Sequence, residues 1–345
     1  MVGEMARAYG DASERLVAEL AALEERLAQR EAAGEPLADA ALAMRARLEE
    51  LISQLAGRLS DLSPQAVAIV SEGQQLALEW TNAETGQLVY ASTGNPKMAE
   101  EVIRFDRLAD ETIQEFIGLS SDGSPLAVLF DEIAQTVPDG LRFTLSSGLA
   151  QGRNPRAVAR DMRTLATLPQ RRAETIARTE MLRASREAQR RMYEGSPAVM
   201  SYERVATQDA RVCTACLALS GTVHKTDEIM PSHPNCRCVM VPKTPSLAEI
   251  TGDPSIPDLR SPAVTPQDIL RGLDREEIIE ILGPGRYRLM NEGKVKIEDM
   301  VEVRQDPRWG PTTRIRPLSD FGIRVRPRLS NREIQRRLEE ASWEE

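Results

Sequence analysis

The sequence predicts a mainly α-helical protein: a helical N-terminal body, a small α+β module that holds cysteines and histidines, and a short C-terminal unit. Of the 345 residues, 41% are hydrophobic but only 4% are aromatic, so aliphatic side chains that favour helices must build the core. Leucines recur at spacings of three and four in the N-terminal part. All cysteines and histidines fall between residues 213 and 238.

Two leucine stripes predict a helical hairpin over residues 1–62. The stripes consist of Leu16, Leu20, Leu23 and Leu27, and then of Leu48, Leu51, Leu55 and Leu59. The Gly-Glu-Pro sequence at 34–36 interrupts the helical pattern between them. Neither stripe lasts for the several heptads of a long coiled coil, so we expect the two helices to pack on each other.

Residues 63–150 predict a helical body in which clusters of Gly, Pro, Asn and Asp mark the turns between helices. These turn signals lie at Gly86, 94–96, 122–125 and 138–140, and residues 87–92 are compatible with a short strand.

A module over 151–245 begins with two predicted helices. Asn154 followed by Pro155 is typical of a helix N-terminus, and that helix should run to about Leu168. Pro169 then starts a helix that reaches about Glu194, and residues 201–207 predict a strand.

The helix from Pro169 to Glu194 is basic. Residues 151–204 contain 12 Lys and Arg against 6 Asp and Glu, in a chain of net charge −9. Several arginines fall off the apolar face, where phosphates of double-stranded DNA could reach them without sequence preference. The candidates are Arg171, Arg172, Arg183, Arg186, Arg190 and Arg191. The alternative is that they pair with acidic side chains such as Glu187 and Glu194.

Glu180 falls on the apolar face of the same helix, beside the positions of Ile176 and Ala177. A carboxylate there is costly unless an arginine or a backbone donor pairs with it. We therefore expect a buried structural ion pair rather than a catalytic group.

The cysteines and histidines have the spacing of a zinc site. Cys213-x-x-Cys216 places two thiolates on one tight turn, and His233-x-x-Cys236-x-Cys238 follows about twenty residues later. We expect Cys213, Cys216 and His233 to bind zinc with either Cys236 or Cys238, and His224 to be peripheral. Four protein ligands leave no position for a substrate, so the site should be structural.

Two other interpretations of the cysteines stay open. They could form disulfides, although a reducing cytosol disfavours this. Cys213 and Cys216 could also be a thioredoxin-like redox pair, but no βαβ pattern surrounds them.

The remaining segments are a proline-rich linker over 246–266 and a small C-terminal unit with a charged tail over 267–345. Within that unit we expect a helix from Asp274 to Leu282, ended by Gly283-Pro284. The sequence has no apolar run of about 20 residues, so we expect no membrane span.

The cysteine motifs belong to a wider pattern. The sequence resembles the Mu F-like domain of phage head morphogenesis proteins over about residues 145–245. The matching runs are Ile176-Ala-Arg-Thr-Glu180, Asp209-Ala-Arg-Val-Cys-Thr-Ala-Cys216, Leu219-Ser-Gly221 and His233-Pro-Asn-Cys-Arg-Cys238. Residues 281–287 and 291–294 also resemble the tails of some minor head proteins.

The resemblance implies a structural virion protein inside the capsid near the portal, assembled in the host cytoplasm. Its implied partners are the portal protein and the major capsid protein, and its implied roles are head assembly and DNA packaging or delivery. We expect no enzyme activity, because no GxSxG, HExxH or P-loop pattern follows the module. The alternatives are a zinc hydrolase or transferase with Glu180 or Asp209 as base, and a nonspecific DNA-binding zinc protein.

Overall fold

The computed structural model describes residues 1–120, 122–306 and 310–323, without the side chains of 38–44 and 149. Backbone contacts divide the chain into two compact units. The first comprises Met1–Arg204, Val223–Pro262 and Gln305–Thr312, and the second comprises Val205–Thr222, Ala263–Arg304 and the residues from Thr313 onward. The predicted division into five segments stays a prediction.

The described residues are mainly helical, which confirms the predicted fold class. The helices are α1 (Val2–Ala32), α2 (Ala38–Ser92), α3 (Pro96–Val102), α4 (Asp110–Gln114), α5 (Leu126–Ala150), α6 (Pro155–Ala166), α7 (Leu168–Gly195), α8 (Thr214–Ala218), α9 (Leu247–Thr251), α10 (Pro266–Arg271), α11 (Arg275–Leu282) and α12 (Pro284–Asn291). The strands are β1 (Ser201–Val205), β2 (Val223–His224), β3 (Val239–Lys243), β4 (Val301–Asp306) and β5 (Gly310–Ile315). None of the helices in this described part is long and apolar enough to cross a bilayer.

The predicted packing of the two leucine stripes on each other is confirmed, although the second helix continues beyond residue 62 to Ser92. All eight leucines of the two stripes are buried, and α1 packs on α2. The same core continues into α5, α6 and α7, which contact α1 and α2. The hairpin is therefore one part of a larger helical core.

Several predicted interruptions are wrong. Gly86 and the proposed strand at 87–92 lie inside α2, which runs without a break to Ser92, and residues 138–140 lie inside α5. Ile133, Val137, Leu141 and Leu145 are all buried at a spacing of four across Pro138. Burial of this stripe offsets the hydrogen bond that Pro138 removes from the helix. The turns at 94–96 and 122–125 are present.

The two helices at the start of the module begin and end within a few residues of the predicted positions. The Asn154 side chain accepts a hydrogen bond from the Arg156 backbone N–H at 2.9 Å, and Pro155 is the first residue of α6. Helix α7 begins at Leu168 and contacts α1, α2 and α5 of the helical core.

A three-stranded sheet with the order β2-β1-β3 covers another part of α7. Strand β1 confirms the predicted strand and pairs with β2 in antiparallel register, with Tyr202 opposite His224. The Tyr193 hydroxyl on α7 donates to the Met240 carbonyl on β3 at 3.0 Å. These contacts hold the sheet against α7 within the first unit.

The predicted linker over 246–266 is not extended throughout, because it contains the short helix α9. The Ser246 hydroxyl accepts from the Glu249 backbone N–H while the Glu249 carboxylate accepts from the Ser246 N–H, and this capping box favours a helix. In the second unit α11 begins after Asp274 and ends at Gly283, as predicted. Of the predicted charged tail, which begins at Arg314, residues 314–323 are described and include the end of β5, and the rest lies outside the described residues.

We expect Leu55→Ala to lower the free energy of unfolding by about 2–5 kcal/mol, because a buried leucine leaves a cavity. The Leu55 side chain is 2% exposed, whereas Leu76 on the same helix is 54% exposed. Leu76→Ala is therefore the matched control, with an expected change below about 0.5 kcal/mol. Denaturant titration measures both, and equal effects would contradict this account of the core.

Candidate metal centre

The loop His233–Cys238 forms a tight turn of the first unit. The Cys236 backbone N–H donates to the His233 carbonyl at 3.0 Å, and Asn235 has a φ of +60°. Asn is one of the few residues besides Gly that tolerate this left-handed conformation. The turn leaves Cys236 and Cys238 buried and His233 half-buried.

Side chains of α7 hold this loop. The Thr179 hydroxyl accepts from the Asn235 backbone N–H at 3.0 Å, and the Asn235 side-chain amide donates to the Thr175 hydroxyl at 3.2 Å. The Arg186 guanidinium donates to the backbone carbonyls of Cys236 and Cys238. Thr179 of the Arg-Thr-Glu run, together with Thr175 and Arg186, therefore anchors the loop to α7.

Arg204 on β1 is fully buried beside two sulfur atoms. Its Nε lies 3.3 Å from the Cys238 Sγ and its Nη2 lies 3.7 Å from the Cys236 Sγ. A buried guanidinium is costly without a compensating negative charge, and a thiolate, the metal-binding form of cysteine, would supply it. Arg204 is not among the residues predicted for the site, although its position two residues after Tyr202 places both on one face of the predicted strand.

Cys213 and Cys216 belong to the second unit and lie at the start of α8. The Cys213 Sγ accepts from the Cys216 backbone N–H at 3.4 Å, which makes Cys213 the N-cap. The neighbouring Thr214 hydroxyl donates to the Ile281 carbonyl at 2.6 Å and fixes α8 to the end of α11. This turn presents two thiol groups three residues apart.

None of the four cysteines forms a disulfide. Within the first unit the Sγ atoms of Cys236 and Cys238 lie within 4.8 Å of each other, and within the second unit those of Cys213 and Cys216 do so, as two ligands of one metal ion would. His224 is not among these residues. It stacks on Tyr202 with the ring centroids 5.4 Å apart, and burial lowers the pKa of its imidazole.

Glu180 is 2% exposed, and its Oε1 lies 3.3 Å from Nη1 of Arg183, which is 11% exposed. Burial lowers the pKa of the Arg183 guanidinium, and the Glu180 carboxylate opposes this shift. The two side chains form a buried ion pair on α7. Asp209, the other base considered for an enzyme, pairs with Arg211 at 2.9 Å.

The six candidate arginines differ in exposure and in partners, and DNA binding by them stays a prediction. Arg190 is 13% exposed and pairs with Glu187 and Glu194, and Arg191 also pairs with Glu187. Arg183 is paired with Glu180, Arg186 bonds loop carbonyls, and Arg172 donates to the Thr136 hydroxyl. Arg171 is exposed. Arg172 and Arg191 are 41% and 40% exposed, so only Arg183, Arg186 and Arg190 lie where other elements cover α7.

Helix α7, the sheet and the cysteine loop thus define a helical protein with a compact Cys/His module. Residues 139–241, from α5 to β3, match the family described as Phage Mu protein F like protein. No curated protein and no solved structure matches the chain. The family match confirms the resemblance to phage head morphogenesis proteins and supports a phage head-related protein in general. It covers under a third of the chain and contains all five predicted metal ligands.

We expect Glu180→Gln to lower the free energy of unfolding by about 2 kcal/mol or more, because it leaves the Arg183 charge buried without its counter-ion. Glu174→Gln on the same helix is the matched control, since the pair of Glu174 with Arg178 is solvent-exposed and should contribute below about 0.5 kcal/mol. Thermal and denaturant unfolding of both variants measure the difference. A neutral Glu180→Gln would show that the buried pair is not structural.

Proposed function

We propose that this protein is a minor head protein of a phage, a structural virion component that acts in head assembly inside the capsid near the portal. The observation that carries the proposal is the family match over residues 139–241. The same segment includes α7, whose side chains contact both the helical core and the cysteine loop. A module built in this way is suited to a rigid assembly role, with the portal protein and the major capsid protein as partners.

A structural zinc ion is the second part of the proposal. Its ligands are Cys213, Cys216 and His233, with either Cys236 or Cys238 as the fourth. Cysteine thiols without a disulfide and a half-buried imidazole form a donor set suited to zinc. The Arg204 guanidinium beside two of the sulfurs would stabilise them as thiolates. The loop has few apolar side chains of its own, so a bound ion would stabilise it in place of a hydrophobic core.

An enzyme is the competing function, and the ion pairs argue against it. The two carboxylates that could act as a base, Glu180 and Asp209, are each paired with an arginine. A carboxylate that is held in an ion pair with an arginine is a weaker general base than an unpaired carboxylate. The covered arginines of α7 likewise give no support to a DNA-binding function.

We expect one tightly bound zinc ion per chain after purification without added metal. Elemental analysis and thiol titration before and after denaturation measure the ion and the free cysteines. His233→Ala should reduce the zinc content and destabilise the module by several kcal/mol. His224→Ala is the control and should keep the ion, because His224 stacks on Tyr202 instead. Two disulfides and no metal would contradict the proposal.

We also expect the protein to be part of assembled particles. When phage heads are purified, the chain should be found with the portal protein at a low copy number relative to the major capsid protein. Quantitative mass spectrometry of proheads and mature heads, with cryo-electron microscopy of the portal vertex, makes the measurement. A chain that is made during infection but absent from both kinds of head would exclude a virion role and leave the zinc prediction intact.

A further inference from the structure

A cavity of about 340 Å³ lies beside α7 in the first unit. Apolar side chains form much of its lining, among them Phe116, Leu119, Ala184, Ile229, Met230 and Met240. None of the proposed zinc ligands lines it. Its volume falls within the range of about 300–1,000 Å³ that is typical of small-molecule sites.

The charges around the cavity are mostly neutralised by one another. Arg183 pairs with Glu180, and Arg190 and Arg191 both pair with Glu187. Arg191 also lies over the Phe116 ring, with its guanidinium carbon 4.5 Å from the ring centroid. Glu115, the third acidic residue of the lining, lies 3.5 Å from Arg191. All three carboxylates therefore have arginine partners and do not offer a site for a cation.

Arg186 differs from its neighbours. It lines the cavity and is half-buried, and its hydrogen bonds go to the backbone carbonyls of Cys236 and Cys238. Within the part of the chain that the structure describes, no carboxylate forms an ion pair with it. Carbonyl groups carry no net charge, so a positive charge remains at the wall of an apolar cavity.

We propose that this cavity is a binding site for a small amphiphilic anion, a molecule with an apolar body and one acidic group such as a carboxylate. The apolar lining would bury the body, and the acidic group would pair with Arg186. A guanidinium in a partly desolvated site gains more from a counter-ion than one in water does. A polyanion such as DNA does not fit, because an apolar cavity of this size cannot hold a phosphate backbone. The proposal does not depend on the assignment as a head protein.

The experiment compares three ligands that share one apolar body. Decanoate, decanol and decylammonium are titrated into the purified full-length protein, as competitors of the fluorescent probe anilinonaphthalene sulfonate and by calorimetry. We expect decanoate to bind with one-to-one stoichiometry and about tenfold more tightly than decanol, which corresponds to about 1.4 kcal/mol. Decylammonium should bind more weakly than either. Equal affinities for decanoate and decanol would overturn the proposal.

Two variants locate the site. Ile229 and Val223 are both exposed aliphatic residues, at 58% and 56%, but only Ile229 lines the cavity. We expect Ile229→Asp to weaken decanoate binding about tenfold by charge repulsion, and Val223→Asp to leave it unchanged. An equal response of the two variants would show that the ligand binds elsewhere and would overturn the proposal.

Arg186→Gln tests the acidic group of the ligand directly. It should abolish the preference for decanoate over decanol while the affinity for decanol stays the same. Because Arg186 also holds the cysteine loop, circular dichroism must first show that this variant is folded. If it is not, the Ile229→Asp and Val223→Asp pair decides the question alone. A folded Arg186→Gln protein that still prefers decanoate would contradict the role of Arg186.

Discussion

The packing of α7 between a helical core and a cysteine loop is the constraint on which the first unit depends. Ala173 and Ala177 are fully buried in the helical core, and Ala184 and Ala188 are buried in a second cluster with Leu78 and Ile113. Small side chains let neighbouring elements approach the helix closely on several sides. The polar groups on the covered sides of α7 must then find partners inside the protein, because they are removed from water there.

This constraint explains why so many charged residues on α7 are internal. Arg190 and Glu187 form one pair and Arg183 and Glu180 another, while Arg186 bonds the carbonyls of the loop. Breaking such a pair by removing one partner is costly, because the other charge stays desolvated. Arg183 and Arg190 are therefore part of an internal network of ion pairs on α7, and Arg186 holds the loop.

Patterns that depend on neighbouring residues could be predicted. The leucine stripes, the Asn154 cap and the Asp274 cap each act within a few residues and are present in the structure. Pro138 could not be placed correctly, because the buried stripe from Ile133 to Leu145 outweighs the local preference of one proline. The position of Arg204 beside two cysteine sulfurs and the burial of Arg183 could not be predicted either. Both depend on elements distant in sequence, which periodicity cannot bring together.

The central claim is that the cysteines and a histidine hold a closed structural metal site. X-ray absorption spectroscopy at the zinc edge tests it most directly, because it reports the donor atoms of the ion in solution. The account predicts three sulfur donors at about 2.3 Å and one nitrogen donor at about 2.0 Å, without a bound water. An oxygen donor at about 2.0 Å in an open coordination position would contradict the account and favour a catalytic site.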